Sequence, residues 1–173
     1  VFDSDAAVHE LQGPGGACLA PIERDFPGTT GPQGVDRQKL GAAVFGNPDA
    51  LQRLERIVHP EVAELRRAFL ADTAEAPLIV FDIPLLYEKT GQHGLDAVVV
   101  VSAPAEVQRA RVLARPGMTE QKFAQILKLQ VPDAEKRARA DYVLDTGTSL
   151  AETRHAVQDL IRALTGPQKE PQT

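Results

Sequence analysis

The sequence predicts an α/β protein built on a parallel sheet, and two apolar runs between helical patterns carry that prediction. Leu78–Ile83 is apolar apart from Asp82, and Leu95–Val101 is a second short apolar run. Runs of this length bounded by turn residues are typical of strands buried on both faces, as in parallel sheets. Asp82 then falls at the carboxyl end of its strand, the edge where open α/β sheets bind ligands. Alternation of strands and helices favours right-handed crossovers within one domain, 1–173.

Helices are predicted where apolar residues recur at three- and four-residue steps. The pattern occurs in 48–74 and 150–165; helices are also predicted at 6–12, 36–45, 103–115, 120–130 and 133–140, and the Gly- and Pro-rich stretch 21–34 predicts a loop. Four residues stand where an N-cap belongs: Asp36, Asn47, Ser102 and Ser149. Pro60 is expected to break or kink the long helix, because proline has no N–H to donate. Further strands are predicted at Val1–Asp5 and Tyr142–Leu144.

Composition argues for a globular domain that binds a small anion. The 173 residues carry 19 basic and 24 acidic side chains, a net charge of −5 that disfavours general nucleic-acid binding. Residues 103–139 nevertheless hold eight Lys and Arg against four Asp and Glu, so a basic segment lies on an acidic chain. No apolar run approaches the roughly 20 residues of a membrane span. The single cysteine, Cys18, excludes an intrachain disulfide framework and is compatible with a reducing cytoplasm.

One basic cluster could bind phosphate. Gln108, Arg111 and Arg115 are three and four residues apart, so a helix would place them on one face. Two guanidiniums on one face can clamp a phosphate, although exposed helix charges often do no more than face solvent. Pro116 and Gly117 follow directly and favour a movable flap.

Carboxylates near the N-terminus form a second cluster. Asp3 and Asp5 would face the same side of an extended chain, where one could accept a proton from an attacking hydroxyl. Asp5 could instead cap the helix that follows. His59 lies in a helical segment, where packing or capping is more usual than catalysis. The other histidines show no partner pattern or metal-ligand spacing, and we interpret them as structural or exposed: His9, His93 and His155.

Several separated phrases occur in a fixed order along residues 1–162. They are FDSDAAVHEL from Phe2, GVDRQKLGAAVF from Gly34, LERIVHPEV from Leu54, VFDIPLLYE from Val80, VVVVSAPAEVQRARVLAR from Val98, and ILKLQ followed by RADYVLDTG. Together they resemble the dephospho-coenzyme A kinase family. The specificity of the resemblance comes from the combination of the HP, D-x-P-L-L-x-E and Q-x-x-R-x-x-x-R phrases.

The resemblance implies a P-loop NTPase of the nucleoside-monophosphate-kinase type. It adds a helical coenzyme-A-binding insertion, here 34–74, and a helical lid, here 116–140. The family transfers the γ-phosphoryl group of ATP, with Mg²⁺ as cofactor, to the 3′-hydroxyl of the ribose in dephospho-coenzyme A. The implied partners are ATP and dephospho-coenzyme A, with no nucleic acid and no membrane.

Site residues follow from the same motifs. Asp5 resembles the acceptor-side carboxylate that engages the ribose hydroxyl and can serve as general base. Arg115 resembles the lid arginine that contacts the ATP phosphates, and Arg111 and Gln130 are further lid candidates. Asp82 is expected to support Mg²⁺ or an active-site water, and no residue is assigned as a direct metal ligand. The acceptor-binding side comprises Arg37, Lys39, His59, Asp82, Pro84, Leu85 and Leu86.

The sequence departs from the family pattern in two places. No G-x-x-x-x-G-K-[ST] occurs in the 173 residues, although this motif cradles the nucleotide phosphates. We therefore expect a first strand and P-loop to be missing ahead of Val1, the chain to be inactive without them, and the tail 166–173 to be disordered. Thr146 stands where the family phrase usually has asparagine. Two alternatives stay open: a related P-loop kinase for another nucleotide-like acceptor, and a non-catalytic binder of coenzyme A or a nucleotide.

Overall fold

Each half of the chain contributes one pair of parallel strands. The computed structural model describes residues 1–88 and 94–166, and it separates into two units, Val1–Ile83 and Pro84–Thr173. The tail predicted to be disordered lies outside the described residues beyond Gly166. No helix within these ranges is long and apolar enough to cross a membrane.

The first unit begins with a strand and continues mainly as helices. Its elements are β1 (Phe2–Asp3), α1 (Ser4–Gln12), α2 (Leu19–Asp25), β2 (Thr30–Gly31), β3 (Gly34–Val35), α3 (Arg37–Val44), α4 (Pro48–Asp72) and β4 (Phe81–Asp82). β1 pairs in parallel with β4, and β2 and β3 form a short antiparallel hairpin. The predicted loop 21–34 is therefore partly wrong. Pro21 lies in the first turn of α2, where a missing N–H costs no helical hydrogen bond.

The N-terminal strand is shorter than predicted. It ends at Asp3, whose side chain accepts a hydrogen bond from the Ala6 N–H at 2.9 Å and so caps α1. Asp5 consequently lies in the first turn of α1. The prediction that Asp3 and Asp5 face the same side of an extended strand is wrong, and Asp5 is not the cap.

Both caps predicted for the helices of 34–74 are confirmed. Asp36 accepts the N–H groups of Gln38 and Lys39 at 3.1 Å each, and Asn47 accepts that of Ala50 at 3.1 Å. Contrary to the predicted break, α4 continues through Pro60 as one helix. Residues on both sides of the proline, including Val58 and Val62, pack into the core, and this packing holds the helix across the missing hydrogen bond.

The core of the first unit gathers its four helices. It consists of Leu11, Cys18, Ile22, Phe26, Leu40, Ala50 and Val58. Beside it, the rings of Phe2, Phe69 and Phe81 lie 5.5 to 6.2 Å apart and hold the strand pair against α4. Helices α1 and α3 each pack against α4, and both contribute to the concavity described below.

Gly34 sets the close approach between the hairpin and the end of α1. Its φ is +96°, and a Cβ there would lie 2.4 Å from the carbonyl oxygen of Gln12. We expect Gly34→Ala to lower the free energy of unfolding by more than about 1 kcal/mol, because alanine adds left-handed strain and a backbone clash. Urea unfolding measures this. Gly31→Ala is the control, since its Cβ would meet nothing within 4 Å; equal midpoints for both variants would contradict the prediction.

The second unit alternates strands and helices. Its elements are β5 (Val99–Ser102), α5 (Ala105–Leu113), α6 (Glu120–Lys128), α7 (Asp133–Arg139), β6 (Tyr142–Asp145) and α8 (Leu150–Thr165). β5 and β6 pair in parallel over four residues, from Val99 opposite Tyr142 to Ser102 opposite Asp145. Ser149 and Glu152 form the predicted capping box at the start of α8.

Neither apolar run forms a strand buried on both faces. Within Leu78–Ile83 only Phe81 and Asp82 join the ladder, and Val80 is 43% exposed. In β5, Val99 and Val101 are exposed whereas Val100 and Ser102 are buried. Successive side chains of a strand point to opposite faces, and within each unit packing covers one of them.

Two boundaries in the second unit also differ from prediction. Ser102 ends β5 and does not cap α5, which begins after Pro104. α5 ends at Leu113, so Arg115 lies beyond the helix that was expected to carry it. Arg115 belongs to the turn before α6, where Gly117 has a φ of +74°.

Candidate functional site

The first unit contains a concavity of about 450 Å³ lined by α1 and α3. Asp5, His9 and Gln12 are spaced three and four residues apart, so they share one face of α1. Arg37 is the first residue of α3 and stands opposite them. The apolar part of the lining is Val8, Leu40, Val44 and Leu54. A carboxylate and a guanidinium therefore meet above an apolar floor.

Arg37 and His9 are in direct contact in this concavity. The Arg37 guanidinium donates to Nδ1 of His9, so this ring nitrogen is the acceptor. Arg37 is thereby held over α1. Among the residues that the structure describes, no hydrogen bond or ion pair engages the carboxylate of Asp5, which is exposed. Asp5 can thus accept a hydrogen bond from a bound hydroxyl.

Other predicted acceptor-side residues of this unit lie elsewhere. Lys39 is exposed and its ammonium lies 3.6 Å from Asp36 Oδ2, where it supports the cap of α3. His59 is exposed on α4 and does not line the concavity. Asp82 is the exposed last residue of β4. Of the predicted residues in this unit, the structure therefore brings together Asp5 and Arg37.

Asp82 and Asp3 are register partners in the parallel ladder. Two carboxylates thus stand side by side at the carboxyl ends of adjacent strands. Mg²⁺ is commonly bound by one or two carboxylates together with waters and substrate phosphates, and the Asp3–Asp82 pair fits that donor set. Within the described ranges, no group of three or more His, Cys, Asp or Glu could hold a metal by itself.

The predicted turn residues open the second unit. Residues 84–88 form a turn in which Pro84 and Leu85 are exposed and Leu86 is half-buried. An exposed Leu85 is available for contact with an apolar group of a ligand. The acceptor-binding role of Pro84, Leu85 and Leu86 stays a prediction.

The second unit has its own concavity, of about 310 Å³. Arg111 from α5, Arg115 from the following turn and Gln130 after α6 all line it, so the predicted lid candidates lie around one space. Its charged lining consists of three cations and one anion: Arg111, Arg115, Lys136 and Asp133. An excess of cationic side chains around a concave surface suits a phosphate-bearing ligand.

The two arginines of this concavity differ in whether their guanidiniums are hydrogen-bonded to other residues. Arg111 Nη1 lies 3.3 Å from Thr146 Oγ1, and Nη2 donates to the Thr146 carbonyl at 2.6 Å. The Thr146 hydroxyl in turn donates to the Ser102 carbonyl at 2.9 Å, so the threonine ties Arg111 to β5. In contrast, no side-chain bond to Arg115 occurs within the described part of the chain. Arg111 is positioned by the protein, whereas Arg115 is available to a ligand.

The floor of the concavity is a polar network around Ser102. This serine is 2% exposed, and its Oγ donates to Asp133, with both carboxylate oxygens at 2.9 Å. Gln108 Nε2 donates to the Ala103 carbonyl at 2.6 Å. Gln108 therefore belongs to this floor and not to an exposed clamp with Arg111 and Arg115, although all three border the same concavity.

Sequence reasoning missed several residues of the two concavities. His9 is one of them, although its four-residue spacing from Asp5 on a helix is a signal that the sequence does offer. Ser102, Asp133, Lys136 and Thr146 had no such local signal. Ser102 and Thr146 meet because β5 and β6 pair in one register, and Asp133 and Lys136 join them because α7 packs against β5; short-range spacing reveals neither.

Comparisons with known proteins agree on one family. A family model described as dephospho-CoA kinase matches residues 1–152. The dephospho-CoA kinase of Novosphingobium aromaticivorans is 69% identical over 164 residues, covering 95% of this chain and 82% of that protein. The dephospho-CoA kinase of Mesorhizobium japonicum is 54% identical, covering 96% of this chain and 84% of that protein.

Solved structures share the fold. A Thermus thermophilus protein aligns with a TM-score of 0.81 at 34% identity, over 95% of this chain and 84% of that one. A dephospho-CoA kinase from Campylobacter jejuni aligns with a TM-score of 0.68 over the same shares of the two chains, at 23% identity. The likeness to the second shows the fold alone, and both agree with the predicted α/β class.

Proposed function

Because the chain belongs to the dephospho-CoA kinase family, we propose that it transfers the γ-phosphoryl group of ATP to the 3′-hydroxyl of the ribose in dephospho-coenzyme A. The match of the family model to residues 1–152 carries this proposal. It makes the chain a phosphotransferase with an alcohol acceptor. The two concavities support it, since one offers an unengaged carboxylate and the other an unengaged guanidinium.

On the acceptor side, Asp5 is proposed as the general base. Its carboxylate would take the proton of the 3′-hydroxyl while the hydroxyl oxygen forms a bond to the γ-phosphorus and the bond to ADP breaks. Arg37, held by His9, is placed to bind an anionic group of the acceptor. Lys39, His59 and the turn residues Pro84, Leu85 and Leu86 are assigned to acceptor binding on the motif resemblance, with 34–74 as the acceptor-binding segment.

On the nucleotide side, Arg115 is proposed to contact the transferred phosphoryl group. Its planar fork of donors matches phosphate oxygens and stabilises charge that develops there during transfer. Arg111, fixed by Thr146, and Gln130 would bind other parts of ATP. We propose that segment 116–140 acts as the lid, because the turn with Gly117 joins it to α5.

Mg²⁺ is the cofactor implied by this reaction. When bound, it neutralises charge on the β- and γ-phosphates. Asp3 and Asp82 would hold it, through its waters where the carboxylates do not reach it directly. Asp3 also caps α1, so this carboxylate keeps an orientation fixed by the Ala6 N–H. The cytoplasm, where ATP is available, is the proposed place of the reaction.

The proposal is tested with the full-length protein, meaning this chain with whatever its gene encodes on either side. With ATP, Mg²⁺ and dephospho-coenzyme A, we expect coenzyme A and ADP in equal amounts, measured by chromatography. Adenosine and nucleoside monophosphates serve as control acceptors and should be phosphorylated far more slowly. A folded protein that binds dephospho-coenzyme A but transfers no phosphate would be a binder, and transfer to another acceptor would indicate a related kinase.

A further inference from the structure

Glu88 carries a buried carboxylate at the end of the turn 84–88. Its side chain is 9% exposed, and that of Lys136 is 19% exposed. The Lys136 ammonium lies 2.6 Å from Oε1 of Glu88, and the Val131 N–H donates to the same oxygen at 3.0 Å. Oε2 is buried and has no hydrogen-bond partner among the residues described. One oxygen therefore takes both bonds and the other takes none.

Such a pair is a poor source of stability. A buried ion pair recovers only part of the hydration that both charges lose, and apolar replacements of similar size are often neutral or better. Burial works to raise the pKa of Glu88, but hydrogen bonds from Lys136 and the Val131 N–H outweigh it and hold the pKa below its ordinary value. Glu88 is thus an anion at neutral pH. What the pair supplies is a defined geometry.

Both groups that Glu88 binds belong to one wall of the second concavity. The wall consists of residues from α6, α7 and the connection between them: Leu127, Gln130, Val131, Asp133 and Lys136. A second contact also joins the turn to α7. The guanidinium of Arg139, the last residue of α7, lies 4.2 Å from the centroid of the Tyr87 ring in a cation–π contact. Tyr87 and Glu88, adjacent in the turn, therefore both hold α7.

Lys136 lines the concavity, where a lysine could be taken for a phosphate ligand. Its ammonium is instead engaged by Glu88 at 2.6 Å. To reach a phosphate it would leave a buried carboxylate without a counter-charge, which is costly. Binding of a phosphate by Arg115 would break no such ion pair, since no described residue binds its side chain.

We propose that Glu88 is a positioning residue for ATP. Through Lys136 and the Val131 N–H it fixes the wall formed by Leu127, Gln130, Val131, Asp133 and Lys136, and Lys136 serves as its counter-ion and not as a phosphate ligand. This inference rests on the proposed function, because ATP is the ligand that the wall would contact.

Kinetics of the full-length protein test the inference. We expect Glu88→Gln and Lys136→Met each to raise KM for ATP about tenfold to a hundredfold, because a displaced wall misplaces the ligand. KM for dephospho-coenzyme A should change less than about threefold, and the double variant should match the worse single one because the two residues act as a unit. Glu135→Gln is the matched control, since Glu135 is on α7 in an exposed pair with Arg139; its KM should equal that of the wild type.

Two kinetic outcomes would overturn the inference. One is an unchanged KM for ATP in folded Glu88→Gln. The other is a much larger effect for Lys136→Met than for Glu88→Gln, with effects that add in the double variant, since a direct phosphate ligand would behave in this way. If the single variants do not fold, Glu88→Leu combined with Lys136→Met replaces the ion pair with two uncharged side chains. A folded double variant with a raised KM for ATP supports positioning. A wild-type KM for ATP, or loss of folding, overturns it.

Hydrogen exchange separates this inference from the proposed function. In the wild type without ligand, the Val131 amide should exchange at least about tenfold more slowly than in the Glu88→Leu/Lys136→Met double variant, because leucine leaves that N–H without its acceptor. Equal exchange rates in the two proteins would contradict the positioning role of Glu88, whatever reaction the protein performs. Conversely, absence of phosphate transfer by the wild type would remove the proposed function without altering this difference in exchange.

Discussion

Replacing Arg115 with alanine in the full-length protein is expected to lower kcat for phosphoryl transfer by about 10²- to 10³-fold, the usual loss for a donor that stabilises transition-state charge. Arg115 lies in the turn after α5, lines the second concavity and is exposed. Since no described residue engages its guanidinium, its removal breaks no internal bond there. The melting temperature should therefore stay close to that of the wild type.

The control for Arg115→Ala is Arg109→Ala. Arg109 is exposed on α5, pairs with Glu120 and does not line the concavity. An exposed pair contributes little to stability, so this variant should keep both its rate and its melting temperature. Steady-state kinetics with saturating ATP and dephospho-coenzyme A measure the effect. Equal kcat values for Arg115→Ala and Arg109→Ala would remove Arg115 from the mechanism.

The variant Arg115→Lys tests whether the planar guanidinium of Arg115 matters in addition to its positive charge. Lysine keeps the positive charge but loses the planar fork that can bind two phosphate oxygens at once. We expect most of the loss of kcat to persist in this variant. Full recovery of kcat would mean that Arg115 acts through its charge alone.

Replacing Asp5 with asparagine is expected to lower kcat by about 10²- to 10⁴-fold, the range for removal of a general base. Asparagine has nearly the same shape but accepts no proton at neutral pH. Asp5 does not cap α1, because Asp3 holds that position. The free energy of unfolding should therefore fall by no more than about 0.3 to 1 kcal/mol, the contribution of a carboxylate in the first turn of a helix through the helix dipole.

Two controls accompany Asp5→Asn. Glu10→Gln removes a carboxylate from the exposed surface of α1 and should keep the wild-type rate. Asp3→Ala removes the cap and should cost about 0.5 to 2 kcal/mol of stability. A near-normal kcat in folded Asp5→Asn would contradict the role of Asp5 as base. A stability loss as large as that of Asp3→Ala would contradict the assignment of Asp3, and not Asp5, as the cap of α1.

Local signals predicted much of the fold. The caps at Asp36 and Asn47 and the capping box at Ser149 are confirmed, because a cap depends on a side chain and an N–H two or three residues away. Signals that depend on distant packing were less reliable. The long helix continues through Pro60, and the serine at 102 ends a strand, because core contacts and strand pairing outweigh local preference at these positions.

Some features of the candidate site can likewise be predicted from local sequence, whereas others depend on residues far apart along the chain. Asp5, Arg37, Arg111, Arg115 and Gln130 could be named from motifs, and each lines one of the two concavities. Motifs could not reveal that Thr146 binds Arg111 or that Glu88 binds Lys136, since these pairs lie 35 and 48 positions apart along the chain.

The sequence by itself determined the α/β class, most of the helices, the family and the residue types that could perform phosphoryl transfer. These follow from hydrophobic period, capping chemistry and motif spacing, which are properties of neighbouring residues. Only the tertiary structure decided which charged side chains are already engaged and which are available to a ligand. Lys136 is bound by Glu88 and Arg111 by Thr146, whereas no described residue engages Arg115. The physical reason is that burial and strand register bring distant residues together, and engagement by a partner determines what a charge can do.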